Sequence, residues 1–321
     1  MKKTFRSFSV LFALACGLAF TSCSTDDSNI IDPDGGTNPT PVSNELNGNV
    51  ESDMTLDSSI SYKLTGQLNV LSGATLTIPA GTKITADAGT EVYIAIQQGA
   101  QIAVNGTRSN PVIMTSVNAA PGDWGGLLLL GEAVTTEGVG AKAEVGGFIY
   151  GGTDNTDNSG SINYLVIEGA GAQINAESQY NGLTLYSVGS GTSINNVALL
   201  NGADDGVEFF GGTVSITNLY LENNEDDAVD WTEGWSGSVT NAYSLHTIEG
   251  FSTAVEADGL NNNPKLINFT SVSTTGGIAL QFKKESGATI TGLSLTGYDT
   301  SVDMKDFGAL SNVILDGEVA N

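Results

Sequence analysis

The stretch INNVALLNGADDGVEFFGGTVSITNLYLENNEDDAVDW, Ile194 to Trp231, carries one pattern twice. Ile194-Asn195-Asn196-Val197 and Ile216-Thr217-Asn218-Leu219 both read apolar–x–Asn–apolar, and each is followed by a short strand, Val207-Glu208-Phe209 and Val229-Asp230-Trp231. Between them lie Asp204-Asp205 and Asp226-Asp227, also in matching positions. Working outward, the first element recurs at Ile162, Ile194, Ile216, Val239, Leu266, Ile290 and Leu310, at intervals of 32, 22, 23, 27, 24 and 20 residues. Its third position holds Asn196, Asn218, Asn241, Asn268 and Asn312, against Tyr164 and Gly292. A period of this length, built on strands with no helical signal between them, marks a solenoid with one coil per repeat. The expected fold is all-β, a single right-handed parallel β-helix of about 10–12 coils at the strand spacing of a sheet. Asn residues at one turn of successive coils are expected to stack and hydrogen-bond to one another.

The second element gives a second column: Leu183-Thr184-Leu185, Val207-Glu208-Phe209, Val229-Asp230-Trp231, Val255-Glu256-Ala257, Ile278-Ala279-Leu280 and Val302-Asp303-Met304. Strand alternation turns the outer members of each triplet inward and the middle one outward. Glu208, Asp230 and Glu256 then lie on adjacent rungs, where like charges destabilise strand pairing. Asp204 falls beside Asp226 and Asp205 beside Asp227 in the same way. Hard divalent cations with flexible oxygen coordination suit such a surface, so Asp204, Asp205, Glu208, Asp226, Asp227, Asp230 and Glu256 are the candidate metal ligands and Ca²⁺ the expected ion. Solvated surface charge is the competing explanation. Asp154 to Gly160 also offers oxygens at alternate positions but lacks the final Glu of an EF-hand loop, and reads as Asx turns.

With 36 Asp+Glu against 11 Lys+Arg the net charge is −25, which disfavours nucleic acid and anionic membrane surfaces. The first residues form a targeting signal: Lys2, Lys3 and Arg6 precede an apolar run from Phe8 to Phe20, too short for a comfortable membrane span. Both cysteines, Cys16 and Cys23, lie there, so the remainder of the chain can form no disulfide. Residues 1–22 are expected to be a signal peptide, 23–43 a lipidated cysteine with a polar tether, and 44–321 the β-helix. Cleavage before Cys23 removes three basic residues and no acid, taking the net charge from −25 to −28.

The order of motifs carries a resemblance. Leu76-Thr77-Ile78-Pro79-Ala80-Gly81-Thr82 is followed by Gly106-Thr107, Asn110-Pro111-Val112-Ile113-Met114-Thr115-Ser116 and Gly122-Asp123-Trp124-Gly125-Gly126. Tyr150-Gly151-Gly152 and Ala203-Asp204-Asp205-Gly206-Val207-Glu208-Phe209-Phe210-Gly211-Gly212 continue it. Together these resemble a family of right-handed β-helix surface lipoproteins of Bacteroidota. Phe20-Thr21-Ser22-Cys23 resembles their relaxed lipobox and Ser24-Thr25-Asp26-Asp27 their acidic surface-export signal, while Ala13-Leu14-Ala15-Cys16 is the alternative lipobox. The resemblance implies lipidation (palmitate included) at Cys23 and an anchor in the outer membrane, facing the extracellular side. The motifs speak for fold far more than for activity.

Two functions from different classes remain open. A rigid repetitive face suits binding of an extracellular glycan or a cell-surface protein, with Trp235, in the turn Glu233-Gly234-Trp235-Ser236-Gly237, as the expected exposed contact. Trp231 and Trp124 are expected in the core. The alternative is a calcium-dependent polysaccharide lyase, or a glycoside hydrolase, acting on acidic glycans. A lyase would need a basic side chain; Lys283 and Lys284 lie near the acidic column, where carboxylates hold a lysine protonated and a salt bridge to Glu256 or Glu285 is the expected outcome. His246, the one histidine, has no nucleophile motif beside it and reads as structural. Residues 169–179 and 258–265 are insertions between coils, where specificity is expected to reside.

Overall fold

The computed structural model describes residues 43–176, 178–260, 263–306 and 312–319. The signal segment, Cys16, Cys23, most of the tether and Leu310 lie outside the described residues. The rest winds into a parallel β-helix: every successive strand pairs in parallel with its counterpart one coil away, and the exceptions are the hairpin Ala141–Lys142 with Ile149–Tyr150 and the terminal pair Val313–Leu315 with Glu318–Val319.

Each coil contributes three short strands, so the helix has three sheet faces. On the first, Asn49, Asn69, Ala95, Leu128, Thr184, Glu208, Asp230, Glu256, Gln281 and Asp303 stand in register. On the second, Ile162, Ile194, Ile216, Val239, Leu266 and Ile290 form one inward column, as the repeat predicts. On the third, Ile167, Leu199 and Leu221 point inward, giving way to Ser244 and Ser271. Burial alternates along these strands because the pleat sends every second side chain into the lumen. Each fully buried Leu, Ile or Val there contributes about 1.5–3 kcal/mol of transfer free energy.

The bend between the second and third faces explains the asparagines. Tyr164, Asn196, Asn218, Asn241, Asn268 and Gly292 all take a left-handed conformation, with φ of 50, 56, 61, 58, 56 and 65°. Asn tolerates this conformation better than other residues bearing a Cβ, and Gly adopts it freely. The side chains then stack: the amide nitrogens of Asn196, Asn218, Asn241 and Asn268 donate to the amide oxygens of Asn163, Asn196, Asn218 and Asn241 at 2.7–3.1 Å. The ladder starts from Asn163 instead of Tyr164, since Tyr164 supplies the bend without an amide.

Two expected registers are corrected. In the last coil Ile290 pairs with Leu315, and the next bend is made by Asp316 and Gly317, so Leu315 carries on the apolar column and Asn312 does not continue the asparagine column. Asn312 instead donates to the carbonyl of Glu285. On the first face Glu256 pairs with Gln281, two residues beyond Ala279. Ile278-Ala279-Leu280 looked like the triplet because Ile278 and Leu280 are apolar, but Leu280 and Phe282 are the residues that fill the lumen.

Trp235 is also corrected. It is fully buried, stacks on Phe209 at 4.0 Å and donates its indole N–H to the carbonyl of Val214. The glycines around it do not form an exposed turn; they let the ring fold inward, where Trp231 and Phe209 leave an aromatic-sized gap. Trp231 and Trp124 are in the core as expected. His246 is buried against Phe251 at 4.0 Å, with no protein partner for either ring nitrogen among the described residues, and burial lowers its pKa to about 4.

Candidate functional site

The carboxylates sit where the third face turns into the first. Asn201-Gly202-Ala203-Asp204-Asp205-Gly206 and Asn223-Asn224-Glu225-Asp226-Asp227-Ala228 are the same turn in successive coils, and the bends at Asn201 and Asn223 have φ of 52 and 53°. Coil-to-coil bonds from Gly182 N to Asp205 O, Gly206 N to Asp227 O and Ala228 N to Thr253 O lock the turns in step. Gly206 is required by close approach, since a Cβ there would lie 2.5 Å from Leu221 Cδ2 and 2.7 Å from the carbonyl of Ala228. One consequence is a column Asn181, Asp205, Asp227, Thr253 beside the rungs Thr184, Glu208, Asp230, Glu256. Side chains link neighbours: Asp205 Oδ1 accepts the backbone N–H of Asp227 at 2.9 Å, and Thr253 Oγ1 donates to Asp227 Oδ1 at 2.6 Å.

All seven predicted carboxylates come together in overlapping triads. Oxygens of Asp204, Asp205 and Asp226, of Asp205, Glu208 and Asp230, and of Asp227, Asp230 and Glu256 lie within 4.8 Å of one another inside each triad. Asp205, Asp227 and Glu256 are buried and Glu208 and Asp230 half-buried, so this column is not the open, solvated face that strand alternation suggested. At its Asp204 and Glu208 end the column adjoins a roof. Tyr93, Leu128, Leu130, Tyr150, Tyr180, Tyr186 and Phe210 form a second apolar cluster on the outside of the first face, closed by the hairpin around residues 141–150. Tyr186 stacks on Phe210 at 4.4 Å, and Tyr150 donates to Glu233, which also accepts from Thr135 Oγ1. Burial of the run Leu127–Leu130 on both faces follows from the same roof.

Burial without counter-charge controls the electrostatics. Desolvation, then Asp226, raises Asp204 to about 8; desolvation, then Asp226, raises Asp227 to about 7 against the opposing bond from Thr253. Desolvation, followed by mutual repulsion, also pushes Asp205, Glu208 and Asp230 above the carboxylate range. Lys283 is the cation nearby, and its ammonium is paired with Glu256; Lys284 pairs with Asp258 at 3.2 Å. Beyond Glu256 the column is neutral or paired, with Gln281 Nε2 donating to Asp303 at 3.0 Å. Three oxygens along the column are buried without a protein partner: Asn181 Oδ1, Thr184 Oγ1 and Asp230 Oδ1.

Sequence reasoning missed three contributors. Asn181 donates to Glu208 Oε2 at 2.7 Å from one coil earlier, in the Asp column. Gln179, in the insertion 169–179, holds the carbonyls of Gly171 and Ala203 and lines a cavity of about 430 Å³ that opens onto Asp204 and Asp226. Glu144 comes from the roof hairpin, where burial and then Glu233 raise it to about 6, and its charge is felt by Asp204 and Glu208. The register of Asn181 was recoverable by counting back from Leu183; the hairpin has no counterpart in the repeat and left no signal. Asp154 to Gly160 behaves as expected, with Asp154 capping Thr156 and Asn158 capping Gly160.

A family model described as a pectate-lyase-like β-helix domain matches residues 48–318. The chain belongs to that family. The match spans the first to the last coil, so this pectate-lyase-like β-helix carries its carboxylate triads within the family's own domain. No curated protein and no solved structure matches the chain.

Proposed function

We propose that the protein is a non-catalytic binding or architectural β-helix whose carboxylate column takes divalent cations, Ca²⁺ foremost, and that it is carried on the outer membrane by a lipid at Cys23. The observation that supports the cation reading is the set of overlapping triads together with the unpartnered buried oxygens of Asn181, Thr184 and Asp230. Hard, flexible oxygen donors of this kind, carboxylate plus amide carbonyl plus hydroxyl, suit Ca²⁺. A cation bridging successive coils converts the repulsion between rungs into a cross-link, and adds stability by mass action. The melting temperature of residues 44–321 in calcium and in chelator tests this reading. A rise in calcium that disappears in Asp205→Asn with Asp227→Asn supports it; equal melting in both conditions rejects it.

A second reading, a lyase or hydrolase acting on acidic glycans, draws on the pectate-lyase-like family and on carboxylates held near neutrality. Against it stands the pairing of Lys283 with Glu256, which occupies the ammonium beside the column. Ultraviolet-absorbing unsaturated uronate released from acidic polysaccharide by the wild type, and not by Lys283→Met, would establish the lyase. The surface anchor is tested by labelling intact cells with an antibody to the β-helix, in the wild type and in Cys23→Ala.

A further inference from the structure

A second surface, across the solenoid from the carboxylates, has the opposite character. It is a groove of about 400 Å³ at the bend between the second and third faces, floored by the asparagine ladder. The chain contains 36 Asp+Glu, yet none lines this groove. Arg108, the single arginine among the described residues, does, standing exposed on the turn Thr107–Asn110. The ion pairs among the described residues are made by Lys63, Lys283 and Lys284, which leaves the Arg108 guanidinium unpaired.

The ladder amides face solvent at Asn218 and Asn241. Each spends one N–H and one oxygen lone pair on its neighbours, so each presents a further donor and acceptor outward. Along one wall stands Tyr220, held by Tyr243, which stacks on it from the next coil with the rings 2° from parallel and 5.8 Å apart. The groove runs from Arg108 across the coils of Tyr164, Asn196, Asn218 and Asn241. At about 4.8 Å per coil that is about 19 Å, long enough for an extended ligand.

We infer that this groove binds a glycan bearing an anionic substituent, with the carboxylate or sulfate on Arg108, hydroxyls on the amide rungs and sugar C–H faces against the tyrosines. The site lies on a different face from the proposed cation column and needs no cation. Three observations favour this occupant. Guanidinium groups grip planar carboxylate and sulfate oxygens through paired N–H bonds. Donor–acceptor pairs repeated at one coil step match hydroxyls on successive sugar rings, whereas an extended peptide repeats its side chains on one face about every 6.6 Å and falls out of register. The acid-rich column is on another face, where charges farther than about 8 Å are damped at physiological salt, and Glu222 beside the wall is bonded to the Tyr220 hydroxyl at 2.7 Å.

Isothermal titration of residues 44–321 in chelator, with a hyaluronan hexasaccharide, a heparin hexasaccharide and neutral cellohexaose, tests this. Binding of the first assigns the anion as carboxylate, and of the heparin fragment alone as sulfate; either supports the inference if Arg108→Ala and Tyr220→Ala each weaken it about tenfold or more. Arg108 is exposed and Tyr220 half-buried on the outer surface, so unchanged melting temperatures will show that the variants are folded. Absence of binding by both acidic probes, equal binding of cellohexaose, or binding that survives Arg108→Ala overturns the inference. So does binding that appears only with calcium and vanishes in Asp205→Asn with Asp227→Asn, which would move the ligand to the carboxylate column. Because the titration is run in chelator, its failure leaves the calcium-dependent melting of the column standing, and the converse holds.

Discussion

Removing two acids from the column is expected to make the protein more stable without calcium and indifferent to it. The perturbation is Asp205→Asn with Asp227→Asn, which keeps the accepting oxygens for Asp227 N and Thr253 Oγ1 and deletes the charge. Asp227 is 3% exposed and raised from 3.8 to about 7. At about 1.4 kcal/mol per pH unit, holding it ionised costs about 4 kcal/mol, part of which belongs to the neighbours that share the repulsion. The double variant should therefore gain about 2–4 kcal/mol in chelator at about pH 8, or about 4–16 °C at about 2–4 °C per kcal/mol. The pH window follows from the direction of the shifts. Between the unfolded carboxylate value of 3.8 and the raised values of about 7 and 8, the fold holds protons that the unfolded chain has released. Wild-type stability without metal thus falls as pH rises through that window, and at about pH 4 the two proteins should melt together. Calcium competes with those protons, so its benefit, about 2.7 kcal/mol at a hundred times Kd, should appear at about pH 8 and vanish at about pH 4. Thermal melts followed by circular dichroism at both pH values, with calcium and with chelator, read all of this. A variant less stable than the wild type in chelator at about pH 8, or one with an undiminished calcium response, would refute the reasoning.

Three further outcomes follow from the core and the ladder. Trp235→Ala should lower stability by about 3–5 kcal/mol in denaturant titrations, the range for truncating a buried aromatic, because the ring is enclosed against Phe209 and Trp231. Asn218→Gly should be milder than Asn218→Ala by about 1 kcal/mol: both break the amide ladder, but only Ala must strain to hold φ at 61°. Equal losses would show that the bend carries no strain. His246 is held neutral, its pKa lowered from 6.5 to about 4, so it adds to stability above about pH 6.5 and that contribution is lost as pH falls through about 4. Melting of His246→Phe should fall less steeply with acid over that interval; a parallel fall would remove His246 as the cause.

How much of this was legible depends on what each residue had to report. The second-face column announced itself because one apolar residue per coil must fill the lumen, and because the bend demands positive φ, which Asn tolerates better than other residues bearing a Cβ. The stacked acids were legible for the same reason: counting back from Val207 and Val229 needs only a fixed turn length. Reading failed where local pattern and register separate. Ile278-Ala279-Leu280 mimicked the triplet, and its slip against Leu280 and Phe282 becomes visible only when the lumen is filled. Asn312 failed likewise, since Leu315 takes the apolar position and the last coil closes with a short antiparallel pair that breaks the repeat. Trp235 looked exposed because glycines surround it; those glycines instead give the ring room to enter the core.

The sequence by itself determined the parallel β-helix, the asparagine bend and the alignment of seven carboxylates, because each follows from periodicity along the chain. Tertiary structure alone decided their environment. Tyr186 and Phe210 stand on repeating strands, but the hairpin that carries Tyr150 and Glu144 does not repeat; burial raises the carboxylates' affinity for protons, and Glu144 adds to the repulsion on Glu208. The acid-free groove beside Arg108 likewise exists only once five coils are stacked. Periodicity specifies which residues are neighbours; burial, which sets how strongly they interact, depends on whatever else the fold lays across them.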